Sequence, residues 1–416
     1  MVSFGKFIQA STLTDKLLAL SRLNSPLKPS QFITMNRTNN ANSISNTTDD
    51  NLLLFRPTFT FLSYNLLSPY YMWPQVYTYV PNQYKDWQYR HKLLEEELFY
   101  KYKADIMCLQ ELTLKDYDAF WKPTMSTKFN YGSNYINKPP PKYWEKTSQE
   151  MDGVGIFYNR DKFEFLTCHD IHLNDILGIF NYKEMEYLNN YQVTLTNAQG
   201  EAIGEKSLLK ILVERNQVGL FVSLKHKESD TIFIVINTHL YWKYDPVKLT
   251  QCLILMRKLQ QIIRYHLTVE AATYSQIKTI FAGDLNSELN SKVIQFLRGN
   301  IIGLENSNAK GGSGFTLVNP MRSYLNTCLY DMIPADAYIN TCYSGKLKGI
   351  FDYIWFDKND FGISKVLTGY GINEELNTNK QLGLPNGDHP SDHIPIWCEF
   401  EIKLPKQLQS TPKTKL

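Results

Sequence analysis

The chain has few cysteines for its 416 residues, and they are scattered: Cys108, Cys168, Cys252, Cys328, Cys342 and Cys398 form no C-x-x-C pair and have no histidine at zinc-ligand spacing. That excludes a disulfide framework and a sequence-local structural metal site, and it fits a reducing, intracellular compartment. Long apolar runs are also missing. Stretches such as "IFIVI" at 232–236 fall far short of the roughly 18 residues a membrane-spanning helix needs, so no membrane span is expected. Charge of one sign is absent too, because 44 Lys and Arg oppose 41 Asp and Glu. A net charge of +3 does not announce a polyanionic or membrane partner, so any basic surface must be local. Finally, there is no G-x-x-x-x-G-K-[ST], which excludes a nucleotide-hydrolysing P-loop; the "GGSG" at 311–314 reads as a flexible loop.

What is present is a composition of 43% hydrophobic and 13% aromatic residues, enough for a large core in one large domain or two to three small ones. Residues 1–50 read differently. Their polar end, "MNRTNNANSISNTTDD", cannot bury enough apolar surface to offset its ordering entropy, so the segment is expected to be a disordered leader. Its first part carries Lys6, Lys16, Arg22 and Lys28 against Asp15, with Leu13, Leu17 and Leu20 on one helical face. That pattern resembles a mitochondrial targeting segment; a flexible terminus of a cytoplasmic protein is the competing reading. Residues 403–416 read as a basic polar tail.

Between these ends the periodicity alternates. "TFTFLSYN" (58–65), "ADIMCLQE" (104–111), "GVGIFY" (153–158), "TIFIVINTH" (231–239), "KTIFAGD" (278–284), "DYIWF" (352–356) and "PIWCEFEI" (395–402) read as strands. Residues 86–103 and 245–267 have apolar residues at three- and four-residue spacing and read as helices, the second with Asp245 as a cap before Pro246. The expectation is an α/β body.

Several of these strands end in polar residues: Asn65, Glu111, Asn237 with His239, and Asp284 followed by Asn286, while Asp392 and His393 precede the last strand. One such ending is an ordinary turn signal. Repeated over so many strands, the pattern points to one pocket rim. The acidic and amide donors suit a hard cation such as Mg²⁺ or Mn²⁺, and phosphate chemistry is the reaction class such a cation serves.

The ordered set "SYNLLS", "CLQEL", "DGVGIFY", "NTHLYW", "GDLNS", "KGIFDYIW" and "HPSDH" resembles the endonuclease/exonuclease/phosphatase superfamily, which includes deoxyribonuclease I. "WQYRHKLLEEEL", "NTHLYW" and "LPNGDHPSDH" are similar to the deadenylase, nocturnin and Angel-like branch, in particular its stand-alone RNA exonucleases without leucine-rich repeats. The resemblance implies a catalytic domain over 51–402, folded as a four-layer α/β sandwich of two facing, mostly antiparallel sheets flanked by helices. It implies that Glu111, Asn65 and Asp392 hold Mg²⁺, for which Mn²⁺ can substitute. It further implies that Asp284 activates water, His393 stabilises the phosphoryl transition state with Asp352 behind it, and His239 meets the phosphate or leaving group. Asn286 would grip the scissile phosphate, and Asn237, Tyr241 and Trp242 would line the substrate path.

The implied activity is a Mg²⁺-dependent 3′-to-5′ exoribonuclease acting on single-stranded RNA 3′ ends. A phosphatase acting on a small nucleotide such as NADP or on a terminal RNA phosphate is the alternative, and a silent RNA-binding module the third reading. One departure bears on substrate. Where the poly(A)-specific members are expected to carry a stacking aromatic, five places before Asp352, this chain has Leu347. A base–aromatic stack contributes roughly 1–3 kcal/mol, so base preference should be relaxed more than binding is lost.

Overall fold

Two β-α-β crossovers set the architecture. A helix between two apolar strands carries the chain back across a sheet, so that the second strand runs parallel to the first. In the computed structural model, which describes residues 32–35, 56–141, 145, 147–175, 177–304, 315–345, 347–369 and 371–403, this happens twice. Strand Thr58–Asn65 pairs in parallel with Ile106–Thr113, with helix Trp87–Glu96 between them in the chain. Strand Thr231–His239 pairs in parallel with Ile277–Asp284, with helix Asp245–Thr268 between them. Both strands of a parallel pair end at the same sheet edge, which is why the polar strand ends converge.

The first pair sits in a seven-stranded sheet ordered Phe32–Thr34, Phe361–Leu367, Ile396–Ile402, Thr58–Asn65, Ile106–Thr113, Asp152–Asn159, Tyr131–Asn137. The second sits in a six-stranded sheet ordered Thr327–Cys328, Asp352–Phe356, Ile277–Asp284, Thr231–His239, Val218–His226, Phe163–His172. The remaining neighbours in both sheets pair antiparallel.

Strands such as Ile277–Asp284 are buried along their whole length because both faces are covered. Ile280 and Ala282 face the other sheet, against Phe59, Phe61, Ile106 and Ile156. Ile277 and Phe281 face the long helix and pack with Leu253, Met256 and Leu259. Leu62, Tyr64, Met107 and Leu109 cover the outer face of the first sheet beneath Leu94 and Leu98. The result is the four-layer sandwich. Each large apolar side chain so buried contributes about 1.5–3 kcal/mol. Gly283 is needed at the edge: its φ is +140°, and a Cβ there would lie 2.0 Å from the carbonyl oxygen of Thr238.

Several local readings change. Helix Trp87–Glu96 gives way to a wider π turn over Glu97–Lys101, where the buried Glu97 carboxylate accepts the Tyr64 hydroxyl at 2.9 Å. Asp245 does not cap its helix; it lies in the first turn and pairs with Lys248 at 2.9 Å. Strands Tyr131–Asn137, Phe163–His172, Val218–His226 and Phe361–Leu367 were not foreseen. Two of them, Tyr131–Asn137 and Phe163–His172, are sheet edges with mixed exposure, which blurs the alternation that marks a strand.

The boundary of the leader also moves. Within residues 1–50, Phe32–Thr34 form an edge strand against Phe361–Leu367, and Phe32 packs edge-on against Trp397 with ring centroids 5.2 Å apart. The rest of the leader, with its targeting pattern, lies outside the described residues, as do "GGSG" and the tail beyond Lys403. Lys403 itself is tied down, its N–H donating to the Asp360 carbonyl at 2.8 Å. Phe32→Ala is expected to lower unfolding free energy by about 1–3 kcal/mol in urea denaturation; no change in midpoint or slope would show that this strand adds nothing to the sheet.

Candidate active site

The two sheet edges meet at Asn65. Its side-chain nitrogen donates to Glu111 Oε1 on its own sheet and to Asp284 Oδ2 on the other, each at 3.1 Å. The orientation of the amide is fixed, because its Oδ1 accepts the Leu67 N–H at 3.0 Å. Asn65 was expected as a metal ligand. The structure instead turns its nitrogen toward the carboxylates and its oxygen toward backbone, so it clamps Glu111 and Asp284.

Glu111 reaches this seam through a β-bulge. The register of Ile106–Thr113 against Asp152–Asn159 shifts between Gln110 and Leu112, and Glu111 has φ +56°. A non-glycine residue held left-handed costs on the order of 1 kcal/mol and persists only when its surroundings enforce it. Here the Ser68 N–H donates to Glu111 Oε2 at 2.8 Å. Asn286, with φ +48°, makes the matching bend after the other strand, placing its N–H 2.8 Å from Asp284 Oδ1.

Asp284 Oδ2 lies 3.5 Å from His239 Nε2 and 3.7 Å from His393 Nε2. His393 Nδ1 is 2.8 Å from Asp352 Oδ2, and both residues are buried. Asp392 accepts the Tyr77 hydroxyl at 2.8 Å. The structure thus brings Asn65, Glu111, His239, Asp284, Asn286, Asp352, Asp392 and His393 to one seam.

Two expected substrate contacts do not reach it. Asn237 is fully buried between the sheets: its oxygen accepts Gln110 Nε2 at 2.8 Å and its nitrogen donates to the carbonyls of Leu109 and Gly155 at 3.0 and 2.9 Å. With the amide so occupied, it cross-links the sheets instead of touching substrate. Tyr241 packs into the helix-side core under the Arg215 guanidinium, 5.1 Å from the ring. Trp242, by contrast, is 68% exposed at the end of the same strand, and Leu347 is also exposed.

Other residues come to the site without a motif to announce them. Arg90, wholly buried, donates through Nη1 to the carbonyls of Leu67 (2.8 Å) and Pro390 (3.0 Å), tying the loop after Asn65 to the loop before Asp392. Lys138 pairs with Asp152 at 2.6 Å, and the Tyr71 hydroxyl donates to the same carboxylate at 2.6 Å. Asp152 stands in the quoted "DGVGIFY", the only signal that could have found this group; Lys138 and Tyr71 are ordinary in sequence.

Burial dominates the electrostatics. It pushes Glu111 up to about 7, helped by Asp152 and Asp392 and opposed by Lys138. Burial and then Asp352 push Asp284 up to about 6. Burial, Lys138 and His393 hold His239 well below the usual histidine value, whereas at His393 burial, the largest single influence, is opposed by the Asp352 carboxylate and its neighbours, which together raise the ring well above that value and keep it protonated. A cluster of buried carboxylates raised in this way is relieved by a cation. The donors are mostly oxygen, and His239 Nδ1 and Asp352 Oδ1 are buried with no hydrogen-bond partner among the described residues. Oxygen-rich surroundings with raised carboxyls fit a divalent metal.

The chain belongs to the Endonuclease/Exonuclease/phosphatase family, whose profile matches residues 62–393. It is 55% identical over 344 residues to the RNA exonuclease NGL1 of Saccharomyces cerevisiae, covering 83% of this chain and 93% of that protein. It is 30% identical over 358 residues to the CCR4-Not complex 3′-5′-exoribonuclease subunit Ccr4 of Candida albicans, covering 85% of this chain and 42% of that longer protein. The 2′,3′-cyclic phosphatase ANGEL2, in complex with adenosine-2′,3′-vanadate, shares the fold with a TM-score of 0.61 at 20% identity, over 84% of this chain and 97% of that one. The human Nocturnin catalytic domain aligns with a TM-score of 0.51 at 20% identity, over 83% of this chain and 94% of that one. The deadenylase, nocturnin and Angel-like branch is therefore the right one.

The raised carboxyls make a stability prediction. A glutamate whose folded pKa is about 7 against an ordinary 4.5 favours the fold while protonated. That contribution is complete below pH 4.5 and is lost as pH rises through about 7. In chelator at pH 8, Glu111→Gln should therefore be more stable than wild type by roughly 1–3 kcal/mol, with the gain vanishing near pH 5. Thermal melts at the two pH values check it; a variant less stable at pH 8 would refute the electrostatic reading.

Proposed function

We propose that this protein is a Mg²⁺-dependent 3′-to-5′ exoribonuclease acting on single-stranded RNA ends. One observation carries the reading: Asp284 Oδ2 lies 3.1 Å from the Asn65 amide nitrogen that also holds Glu111, and 3.7 Å from the His393 of a His–Asp dyad. The RNA substrate is supported by the 55% identity to an RNA exonuclease across nearly that protein's whole length.

Glu111 and Asp392 would hold the cation, which when bound supplies positive charge against the scissile phosphate and its departing oxygen. The protein's own groups do the rest. Asp284, pushed up to about 6, is ionised at neutral pH yet basic enough to take the proton of the attacking water. Its second oxygen is pinned by the Asn286 N–H, which keeps Oδ2 turned to the reacting side. His393, protonated and oriented by Asp352, donates to the phosphoryl oxygen as charge develops there. His239, kept neutral by burial, contributes a hydrogen bond and no charge. The Asn286 amide spends one N–H on the Leu240 carbonyl at 2.9 Å, leaving the other to position phosphate. Trp242 is the exposed aromatic available to a base.

Hydrolysis of 3′-end-labelled RNA should stop in EDTA and return with Mg²⁺ or Mn²⁺, releasing mononucleotides from the labelled end. Undiminished cleavage in chelator, or NADP hydrolysis in place of RNA hydrolysis, would defeat the proposal. Asp284→Asn should lower the single-turnover rate by at least about a thousandfold while RNA affinity holds or rises, because a negative charge facing a polyanion is removed. His393→Ala and Asp352→Ala should not add in a double mutant; additive losses would break the dyad. With the aromatic restored, Leu347→Phe should sharpen preference for A-rich ends, measured as the ratio of kcat/KM for poly(A) and mixed RNA.

A further inference from the structure

The hydrolytic site has a thiol at its side. Cys342 and His393 face each other across an antiparallel bridge. The flanking backbone bonds, Tyr343 N–H to the Asp392 carbonyl at 2.7 Å and Ile394 N–H to the Thr341 carbonyl at 2.8 Å, make this a non-hydrogen-bonded pair. That is the position in an antiparallel ladder where facing side chains come closest. Asp392 reaches the same point: Cys342 Sγ, a carboxylate oxygen of Asp392 and a ring nitrogen of His393 all lie within 4.8 Å of one another, and all three residues are buried. The sequence hid this set because the thiol and the other two ligands come from distant loops, with no recognisable spacing.

We propose that Cys342, Asp392 and His393 form an inhibitory binding site for a borderline-soft divalent cation, Zn²⁺ in the cell. A tetrahedral Zn²⁺ takes sulfur at about 2.3 Å and nitrogen or oxygen at about 2.0–2.2 Å, which places neighbouring ligand atoms roughly 3.5 Å apart. Side-chain shifts of about an ångström close the observed set to that spacing. Binding forms bonds to sulfur, nitrogen and oxygen, releases to solvent the thiol proton of Cys342 and the proton on the ligating ring nitrogen of His393, and leaves a fourth position for water. Mg²⁺, a hard ion, does not compete for the thiolate. The set shares Asp392 and His393 with the hydrolytic site, so occupancy withdraws the imidazole from the phosphate and Asp392 from the catalytic cation. This inhibitory consequence rests on the roles given under Proposed function; the binding itself does not.

Four of the other cysteines, Cys108, Cys252, Cys328 and Cys398, are wholly buried within the apolar cores, and none of them joins a metal-ligand set among the described residues. Cys168 is exposed, so the test uses the full chain carrying Cys168→Ser. Titrating Cd²⁺ into this protein, freed of metal, should develop cadmium–thiolate charge-transfer absorption that saturates at one equivalent and is displaced by Zn²⁺. Adding Cys342→Ser should abolish the band, with Cys342→Ala as a second variant and thermal melts showing that each is folded. In RNA hydrolysis at saturating Mg²⁺, Cys342→Ser should raise the half-inhibitory Zn²⁺ concentration by at least about tenfold while leaving the zinc-free rate unchanged. A band that survives both Cys342 substitutions, or none in the parent, overturns the site. Equal zinc sensitivity in parent and variant overturns the inhibitory role. If RNA is not hydrolysed under any condition, the nuclease reading fails, and the absorption titration alone still decides the metal site.

Discussion

The Asn65 amide is the constraint on which the rest depends. It places one N–H on a carboxylate of each sheet, so Glu111 and Asp284, which come from opposite halves of the chain, are held at a single distance from one group. Everything around it protects that arrangement. The Asn65 side-chain oxygen is locked by Leu67, its backbone oxygen accepts the Ser391 hydroxyl at 2.7 Å, and the same serine accepts the His393 N–H at 3.1 Å. Arg90 then ties the loop leaving Asn65 to the loop carrying Asp392 and His393. A buried guanidinium is expensive to desolvate, and here burial pulls it down to about 10. Removing it would leave two backbone loops unpinned and several buried carbonyls unpaired, which is why such a costly group is kept.

The site is built against stability. Buried carboxylates raise one another, Glu111 and Asn286 sit in left-handed backbone, and buried polar atoms that include His239 Nδ1, Asp352 Oδ1 and the Arg90 Nε and Nη2 have no partner among the described residues. Each feature costs on the order of 1 kcal/mol or more. The cores on both faces of both sheets offset this, and the Asn237–Gln110 bond with its two backbone partners stitches the sheets together directly behind the seam. A residue of that kind is easily mistaken for a substrate contact. Both roles want a polar side chain near a strand end, and only the identity of its partners separates them.

The same physics explains why catalytic duties fall on histidines with opposite charge. His239 and His393 are both buried beside Asp284, but only His393 has a second carboxylate at hydrogen-bond distance. Asp352 leads the neighbours that together overcome burial there, while Lys138 adds to burial at His239. One ring is therefore set up to stabilise charge and the other to hydrogen-bond without it.

The sequence by itself determined the central strands and the polar residues at their ends. Strands Thr58–Asn65, Thr231–His239 and Asp352–Phe356 were legible to the residue, because strands covered on both faces read as continuous apolar runs and the polar residue that ends each run marks the edge. The edge strands, the bulge at Glu111 and the short strand Phe32–Thr34 were not legible, since their pairing is specified by partners far along the chain and not by local alternation. Tertiary structure alone decided which polar residues face substrate and which face protein. It turned the Asn65 amide, removed Asn237 and Tyr241 from the pocket, and set Arg90, Lys138 and Cys342 beside it. Those outcomes depend on distances between loops that no spacing along the chain encodes, because the residues that meet at the seam come from two separate sheets.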